Sequence, residues 1–252
     1  MKNTILITGA TSGFGEAIAR LFADNGWNLI ITGRREDRLE RLKEELMQKN
    51  AEVQSLQFDV RSEAEVLKAV SEIRPDLRKS LTVLVNNAGL AVGRSPIDEG
   101  VTDDWDRMID TNVKGLLYVT RAVVTILKEN APGQIINIAS IAGKEVYGGG
   151  NVYCASKHAV DALSRSMRID LLPHRIKVTN IAPGAAETEF SLVRFKGDQQ
   201  TANQVYDGFE PLLAEDIADA VYFAATRKPH VTINDLVIMP TAQANSTTIL
   251  KS

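Results

Sequence analysis

Seven short runs of aliphatic and β-branched residues punctuate this chain, at Thr4–Thr8, Asn28–Thr32, Val53–Phe58, Thr82–Val85, Gln134–Ala139, Lys177–Ala182 and Asp235–Met239. Several, such as Ile5–Thr8 and Val83–Val85, are apolar at consecutive positions, so a strand built from them has no face to give to water. Only a sheet covered on both sides satisfies that condition, and the intervening segments supply the cover. Phe14, Ile18, Leu21 and Phe22 form one stripe at helical spacing, and Leu39, Leu42 and Leu46 form another on a helix from Glu36 to Lys49. A long helix should begin near Thr102 or Asp103, either of which could cap it, and run to Glu129 behind Trp105, Met108, Ile109, Val113, Leu116 and Val123. Another should run from Asn151 to Leu172, before Pro173. This alternation predicts an α/β fold: a single doubly wound parallel sheet of about seven strands, with helices on both faces.

No repeat, low-complexity tract or linker interrupts the 252 residues, so one domain is expected over 1–252. Only Thr188–Asp207 breaks the alternation, with Phe190, Val193, Phe195 and Tyr206 spread among polar residues. It follows the carboxyl end of the Lys177–Ala182 strand, where open α/β sheets bind ligands, which predicts a lid at about 188–210. Twenty-nine Lys and Arg against 32 Asp and Glu leave a net charge of −3, with no field to gather polyanions. Neither nucleic acid nor a membrane is therefore expected as a partner, and 6% aromatic residues with no basic run beyond Arg34-Arg35 argue against an RNA scaffold. Cys154 is the single cysteine and His158, His174 and His230 lie far apart, so no disulfide and no metal site is expected. Cys154 reads as a small buried residue, and His158 as lying off the functional face. The run at Met1–Thr8 is too short for a signal-peptide core, and no stretch approaches the roughly 18 to 20 apolar residues of a membrane span. A cytoplasmic protein is the expectation.

Three features carry chemistry. The first strand leads straight into Thr8-Gly9-Ala10-Thr11-Ser12-Gly13-Phe14-Gly15 and then an amphipathic helix. Glycines there allow a tight turn that brings backbone N–H groups and a helix N-terminus against a pyrophosphate. The second strand ends in Gly33-Arg34-Arg35, where a site for NAD usually carries an acid for the ribose hydroxyls. Two guanidinium groups without that acid favour the 2′-phosphate of NADP, although both arginines also suit solvated residues leading into a helix. Tyr153 and Lys157 stand four apart on a predicted helix, hence on one face. A phenol titrates near about 10, and bringing it to neutrality takes roughly 4 kcal/mol of preferential stabilisation of phenolate. The Lys157 ammonium is expected to supply part of that, making Tyr153 a proton donor and acceptor.

Taken together, these residues resemble the short-chain dehydrogenase/reductase family. The turn Thr8–Gly15, Asp59-Val60 after the third strand, Asn86-Asn87-Ala88-Gly89 after the fourth, Asn112, Ser140, Tyr153 with Lys157, and Pro183-Gly184 followed by Thr188 match its pattern in order and spacing, from Thr4 to about Thr188. The resemblance implies a Rossmann-type fold and a catalytic tetrad. Ser140 would hydrogen-bond the substrate oxygen, Tyr153 transfer the proton, Lys157 hold the ribose and lower the phenol pKa, and Asn112 position a proton-relay water. It also implies that Asp59 and Val60 meet the adenine, that Asn86–Gly89 line the cofactor cleft, and that Pro183–Thr188 touch the nicotinamide. A homotetramer with contacts through Thr102–Glu129 and Asn151–Leu172 is implied as well.

The lid sequence Thr188–Asp198 is similar to a narrower group, the NADP-dependent 3-hydroxy acid dehydrogenases acting on serine, allo-threonine and related short acids, while Gly184–Phe190 also resembles sulfoacetaldehyde reductases. Either substrate is a small anion. Arg194 is the candidate to hold it, since a planar guanidinium fork suits carboxylate and sulfonate alike; Arg194 and Lys196 equally suit solvated lid contacts. Tyr147 and Gly148–Gly150 either shape the pocket or merely end a loop. A catalytically silent NADP-binding regulator is the alternative of another class, and the intact tetrad argues against it.

Overall fold

In the computed structural model, which describes residues 2–251, the alternation resolves into one sheet of seven parallel strands. In chain order the elements are β1 (Thr4–Ile7), α1 (Gly13–Asp24), β2 (Asn28–Gly33), α2 (Glu36–Met47), β3 (Val53–Gln57), α3 (Glu63–Ser71), the single turn α4 (Pro75–Arg78), β4 (Leu81–Asn86), α5 (Thr102–Ile109), α6 (Leu116–Glu129), β5 (Gly133–Ile138), α7 (Asn151–Asp170), β6 (Ile176–Pro183), α8 (Glu189–Arg194), α9 (Gln199–Gln204), α10 (Ala214–Ala225) and β7 (Asp235–Ile238). The strands lie in the order β3-β2-β1-β4-β5-β6-β7. The winding therefore reverses between β1 and β4 and leaves a crevice outside their carboxyl ends.

Alternate residues of each strand serve opposite layers, as a period of two demands. Ile5 and Ile7 join Leu29, Ile31, Phe22, Leu42 and Val221 on the side of α1, α2 and α10. Leu6 joins Ile30, Leu84, Val70, Val123 and Val160 on the side of α3, α6 and α7. Phe22 is wholly buried, edge-on to Trp27 at 5.1 Å and to Tyr222 at 5.2 Å, and so holds α1 against α10. Burying one such side chain contributes about 1.5–3 kcal/mol, and here the contribution also fixes where the N-terminus of α1 meets the end of β1.

Two helices differ from the sequence reading. The segment Thr102–Glu129 is α5 and α6 joined by a wider π turn over Asp110–Gly115. Neither Thr102 nor Asp103 caps it: both lie inside the first turn, the chain enters at Val101 in an extended conformation, and Trp105 N–H bonds the Val101 carbonyl. An acid inside the first turn still favours the helix through its dipole. The helix α7 stops at Asp170, and a 3-10 turn at Leu172–His174 leads to Arg175 in the left-handed region at φ 55°. Among the described residues no helix is long and apolar enough to cross a membrane.

Candidate active site

The glycine turn is held from below. Gly9 lies in the left-handed region at φ +67°, and a Cβ on Gly15 would stand 2.4 Å from the Gly9 carbonyl oxygen and 2.5 Å from Asn87 Nδ2, so the turn closes on itself without room for a side chain. Thr8 Oγ1 accepts the N–H groups of Asn87 and Ala88 at 3.0 and 2.9 Å, and Asn87 Nδ2 donates to the carbonyls of Thr8 and Gly9 at 2.8 and 3.1 Å. Thr8 and Gly15 are thus supports behind the cleft, while Gly9, Thr11, Ser12, Gly13 and Phe14 line it. Ser12, the N-cap of α1, makes no side-chain cap bond; its hydroxyl accepts Arg35 Nη2 at 2.9 Å instead. The first-turn N–H groups of α1 are left for an anion.

The strand ends beside the turn carry the next group. Gly33, Arg34, Arg35, Asp59 and Val60 line the cleft, and a side chain at Gly33 would meet Thr11 Cγ2 at 2.8 Å, so packing as well as charge keeps an acid out of that position. Burial pushes the Asp59 carboxyl up, but hydrogen bonds from Arg61 outweigh it and hold Asp59 below the ordinary range. Asn86 departs from expectation. As the last residue of β4 it points into the core, where its Nδ2 donates to Thr120 Oγ1 and to Asn137 Oδ1, both at 2.9 Å. The cleft is lined by Asn87, Ala88 and Gly89 instead, because adjacent residues of a strand face opposite ways.

Ser140, Tyr153 and Lys157 come together at the centre. Ser140 follows β5 and caps the 3-10 turn Ile141–Gly143, with its Oγ accepting Ala142 N–H at 3.1 Å. Tyr153 and Lys157 are both buried, on one face of α7, with Lys157 Nζ 5.9 Å from the Tyr153 ring centroid and donating to the Ile138 carbonyl at 2.9 Å. Burial pushes Tyr153 well above the ordinary tyrosine value, and hydrogen bonding to Ser140 with the nearby Arg194 charge recovers only part of it. Burial also pushes Lys157 down to about 8. Asn112 sits in the π turn and does not line the cleft: Oδ1 accepts Leu90 N–H, and Nδ2 donates to the Leu90 carbonyl and to Ser156 Oγ, at 2.8, 2.8 and 3.0 Å. His158 bonds the Cys154 carbonyl through Nδ1 at 2.9 Å, and Cys154 is buried.

The lid is α8 and α9. Thr188 caps α8 and packs over Gly13, and Phe190 reaches to 5.7 Å from the Tyr153 ring. Arg194 stacks its guanidinium 5.7 Å from the Tyr153 ring centroid and 5.3 Å from that of Tyr147, with Nε and Nη2 buried and bonded to no protein atom. Lys196 is no free surface residue: its Nζ meets the buried Asp104 at 2.8 Å. Tyr147 and Gly148 line the pocket. So does the tail beyond β7, a wall that sequence reasoning missed. Gln243 is buried, its Oε1 accepts Ala185 N–H at 2.7 Å, and a hairpin bridging Gln243 and Ile249 brings Ser246, Thr247, Ile249 and Lys251 to the cavity.

One cavity of about 910 Å³ joins all of these, from Arg34 past Ser140 and Tyr153 to Arg194. Its glycine cradle, the N-terminus of α1 and the arginine corner fit a phosphorylated dinucleotide at one end, and the two buried donors of the half-buried Arg194 lie at the other. The model of the short chain dehydrogenase family matches residues 3–198. Sulfoacetaldehyde reductase 2 of Chromohalobacter salexigens is 47% identical over 245 residues, covering 97% of this chain and 96% of that protein. The NADP-dependent 3-hydroxy acid dehydrogenase YdfG of Salmonella typhi is 47% identical over 241 residues, 95% of this chain and 96% of that one. The closed form of serine dehydrogenase complexed with NADP+ superposes with a TM-score of 0.93 at 43% identity, covering 99% of each chain.

Proposed function

The chain belongs to the short chain dehydrogenase family, and from that premise we propose that it is an NADP-dependent oxidoreductase acting at the 3-hydroxy (3-oxo) carbon of short hydroxy acids such as serine, allo-threonine or 3-hydroxypropionate. Arg194 carries the substrate reading. Nε and Nη2 form one edge of a guanidinium, and two buried, unpartnered donors side by side match the two coplanar oxygens of a carboxylate, next to the Tyr153 phenol. The proposed unit is one oxidoreductase domain over 1–252, with 188–210 as its lid.

When bound, NADP(H) supplies the hydride acceptor or donor. Gly9, Thr11–Phe14 and the α1 N-terminus would hold its pyrophosphate, Arg34 and Arg35 its 2′-phosphate, Asp59 and Val60 the adenine, Asn87–Gly89 and Lys157 the ribose side, and Pro183–Thr188 the nicotinamide. Ser140 holds the substrate oxygen and Tyr153 moves the proton. A phenol carries its proton at neutral pH, and burial raises the Tyr153 value further, so the side chain stands loaded as the acid that reduction needs. Lys157, protonated below about 8, favours the phenolate left after transfer. Asn112 has spent its amide on Leu90 and Ser156, so any relay water it orders is held by the main chain of the widened turn. A homotetramer built through the helices around α6 and α7 would cover the exposed Leu117, Ile169 and Leu172, and a cytoplasmic location is part of the same proposal.

Reduction of sulfoacetaldehyde is the second reading. Arg94, 5.8 Å from the other contact of Arg194, the Tyr147 ring, offers another cation for the third oxygen of a sulfonate, and the relative named for that activity supports it. Steady-state kinetics of serine, allo-threonine, 3-hydroxypropionate and isethionate with NADP separates the two. Higher kcat/KM on the hydroxy acids is expected; preference for isethionate transfers the assignment to the sulfonate, and binding of NADPH without turnover of any of them leaves a silent regulator.

A further inference from the structure

Glu189 opens the lid helix α8, yet its carboxylate crosses the cleft to the corner between β2 and α2. It accepts Arg38 Nη1 through both oxygens, at 2.7 and 3.0 Å, and Arg35 Nη1 at 3.1 Å. The remaining nitrogens of Arg35 are spent on the glycine turn, Nε on Thr11 Oγ1 and Nη2 on the Thr11 carbonyl, Thr11 Oγ1 and Ser12 Oγ. Every nitrogen of Arg35 is therefore engaged. Arg34 is not: it is 60% exposed, with Asp59 Oδ2 no nearer than 3.9 Å, and Asp59 is itself neutralised by Arg61.

A carboxylate and a phosphate monoester present the same kind of bidentate acceptor to a guanidinium. We propose that Glu189 stands in for the 2′-phosphate of the cofactor: its carboxylate occupies Arg35 and Arg38 and must yield Arg35 when a phosphate arrives. Glu189 then tempers the preference for a 2′-phosphorylated adenosine, and it ties the lid over the substrate to the adenosine end of the cleft. The inference rests on the assignment of Arg34 and Arg35 to that phosphate. Its electrostatic basis is direct. A phosphate brings about −1.5 to −2 charges, so an ionised carboxylate within contact of the same arginines repels it. Burial pushes the Glu189 carboxyl up, but hydrogen bonds from Arg38 and Arg35 hold it below the ordinary range, so it is ionised at neutral pH. Arg38 meets both carboxylate oxygens and Arg35 only one, which leaves Arg38 the keeper of Glu189 while Arg35 turns to the phosphate; the other acids acting on Arg38 are Asp37 and Glu16.

Calorimetric titration of the whole chain with adenosine 2′,5′-bisphosphate and with adenosine 5′-monophosphate gives a ratio of affinities that reads the 2′-phosphate alone. In Glu189→Gln that ratio should rise about five-fold or more, and the ligand-free variant should be cut faster by trypsin at Arg194 and Lys196. A ratio within two-fold of wild type overturns the stand-in role; an increased ratio with unchanged cutting overturns the tie to the lid. Arg34→Ala and Arg35→Ala keep the premise separate. If they collapse the ratio while Glu189→Gln leaves it alone, only the present inference fails, whereas a ratio unmoved by either arginine variant removes the phosphate assignment itself.

Discussion

The cleft has a floor and a roof, and they are built by different physics. The floor, from Thr8 to Gly15 and through Asn87, Ser140, Tyr153 and Lys157, is fixed by backbone hydrogen bonds and buried amides, with a missing Cβ at Gly15 that nothing else could replace. The roof, α8 and α9, is tied at its start by Glu189 to Arg35 and Arg38, between its two helices by Lys196 to Asp104, and beyond α9 by a Tyr206 hydroxyl donating to Ala186. Close packing of the first kind tolerates almost no displacement, because an added methylene costs about 1–3 kcal/mol. Half-exposed ion pairs of the second kind are worth about 0–1 kcal/mol each and can be broken and remade with every turnover. The difference assigns precision to the floor and access to the roof.

That division can be broken by experiment. Tyr153→Phe removes one floor hydroxyl and leaves the ring that Phe190 and Arg194 of the roof pack on: kcat should fall about 10²–10⁴-fold, the usual contribution of a positioned proton carrier, while NADPH affinity by fluorescence titration stays within about two-fold. Retained turnover removes Tyr153 from the chemistry. Arg194→Ala removes the roof cation that stacks on Tyr153 and Tyr147, and loss of hydrogen bonds to a charged group, about 1.5–3 kcal/mol, should raise KM for acidic substrates roughly 10- to 100-fold and spare an uncharged aldehyde. An equal effect on both would make Arg194 a lid strut rather than an anion anchor. The smallest effect is read from pH. Burial lowers Lys157 to about 8, so its ammonium is present below that value and lost above it, and kcat/KM for reduction should decline as pH rises past about 8. A flat profile between pH 7 and 9 would detach Lys157 from the proton step.

Much of the floor was legible because its signals are local. A strand running into Gly9, Gly13 and Gly15 and then an amphipathic stripe, or Tyr153 and Lys157 one helical turn apart, needs no knowledge of distant contacts. Where the reading failed, a one-residue question had been left to the third dimension. Asn86 and Asn87 are identical in type, and only the end of β4 at Asn86 decides that the first turns to Thr120 while the second braces the glycine turn. The π turn at Asp110–Gly115 keeps the apolar spacing of an ordinary helix nearly unbroken, so no residue announces it. The raised phenol of Tyr153 is a product of burial, a property of the folded whole that spacing to Lys157 does not contain. The tail wall depends on Gln243 finding Ala185, fifty-eight positions away in the chain.

That last contact bears on the order of synthesis. A nascent chain that has emerged through Ile238 possesses all seven described strands, but Gln243 has yet to brace Ala185, and Ser246, Thr247 and Ile249 have yet to seal the chamber's side. The far wall of the chamber is thus the last part of it to be made, and a chain cut after Ile238 should keep its sheet while leaving that side open, as proteolysis at Ala185–Thr188 would report.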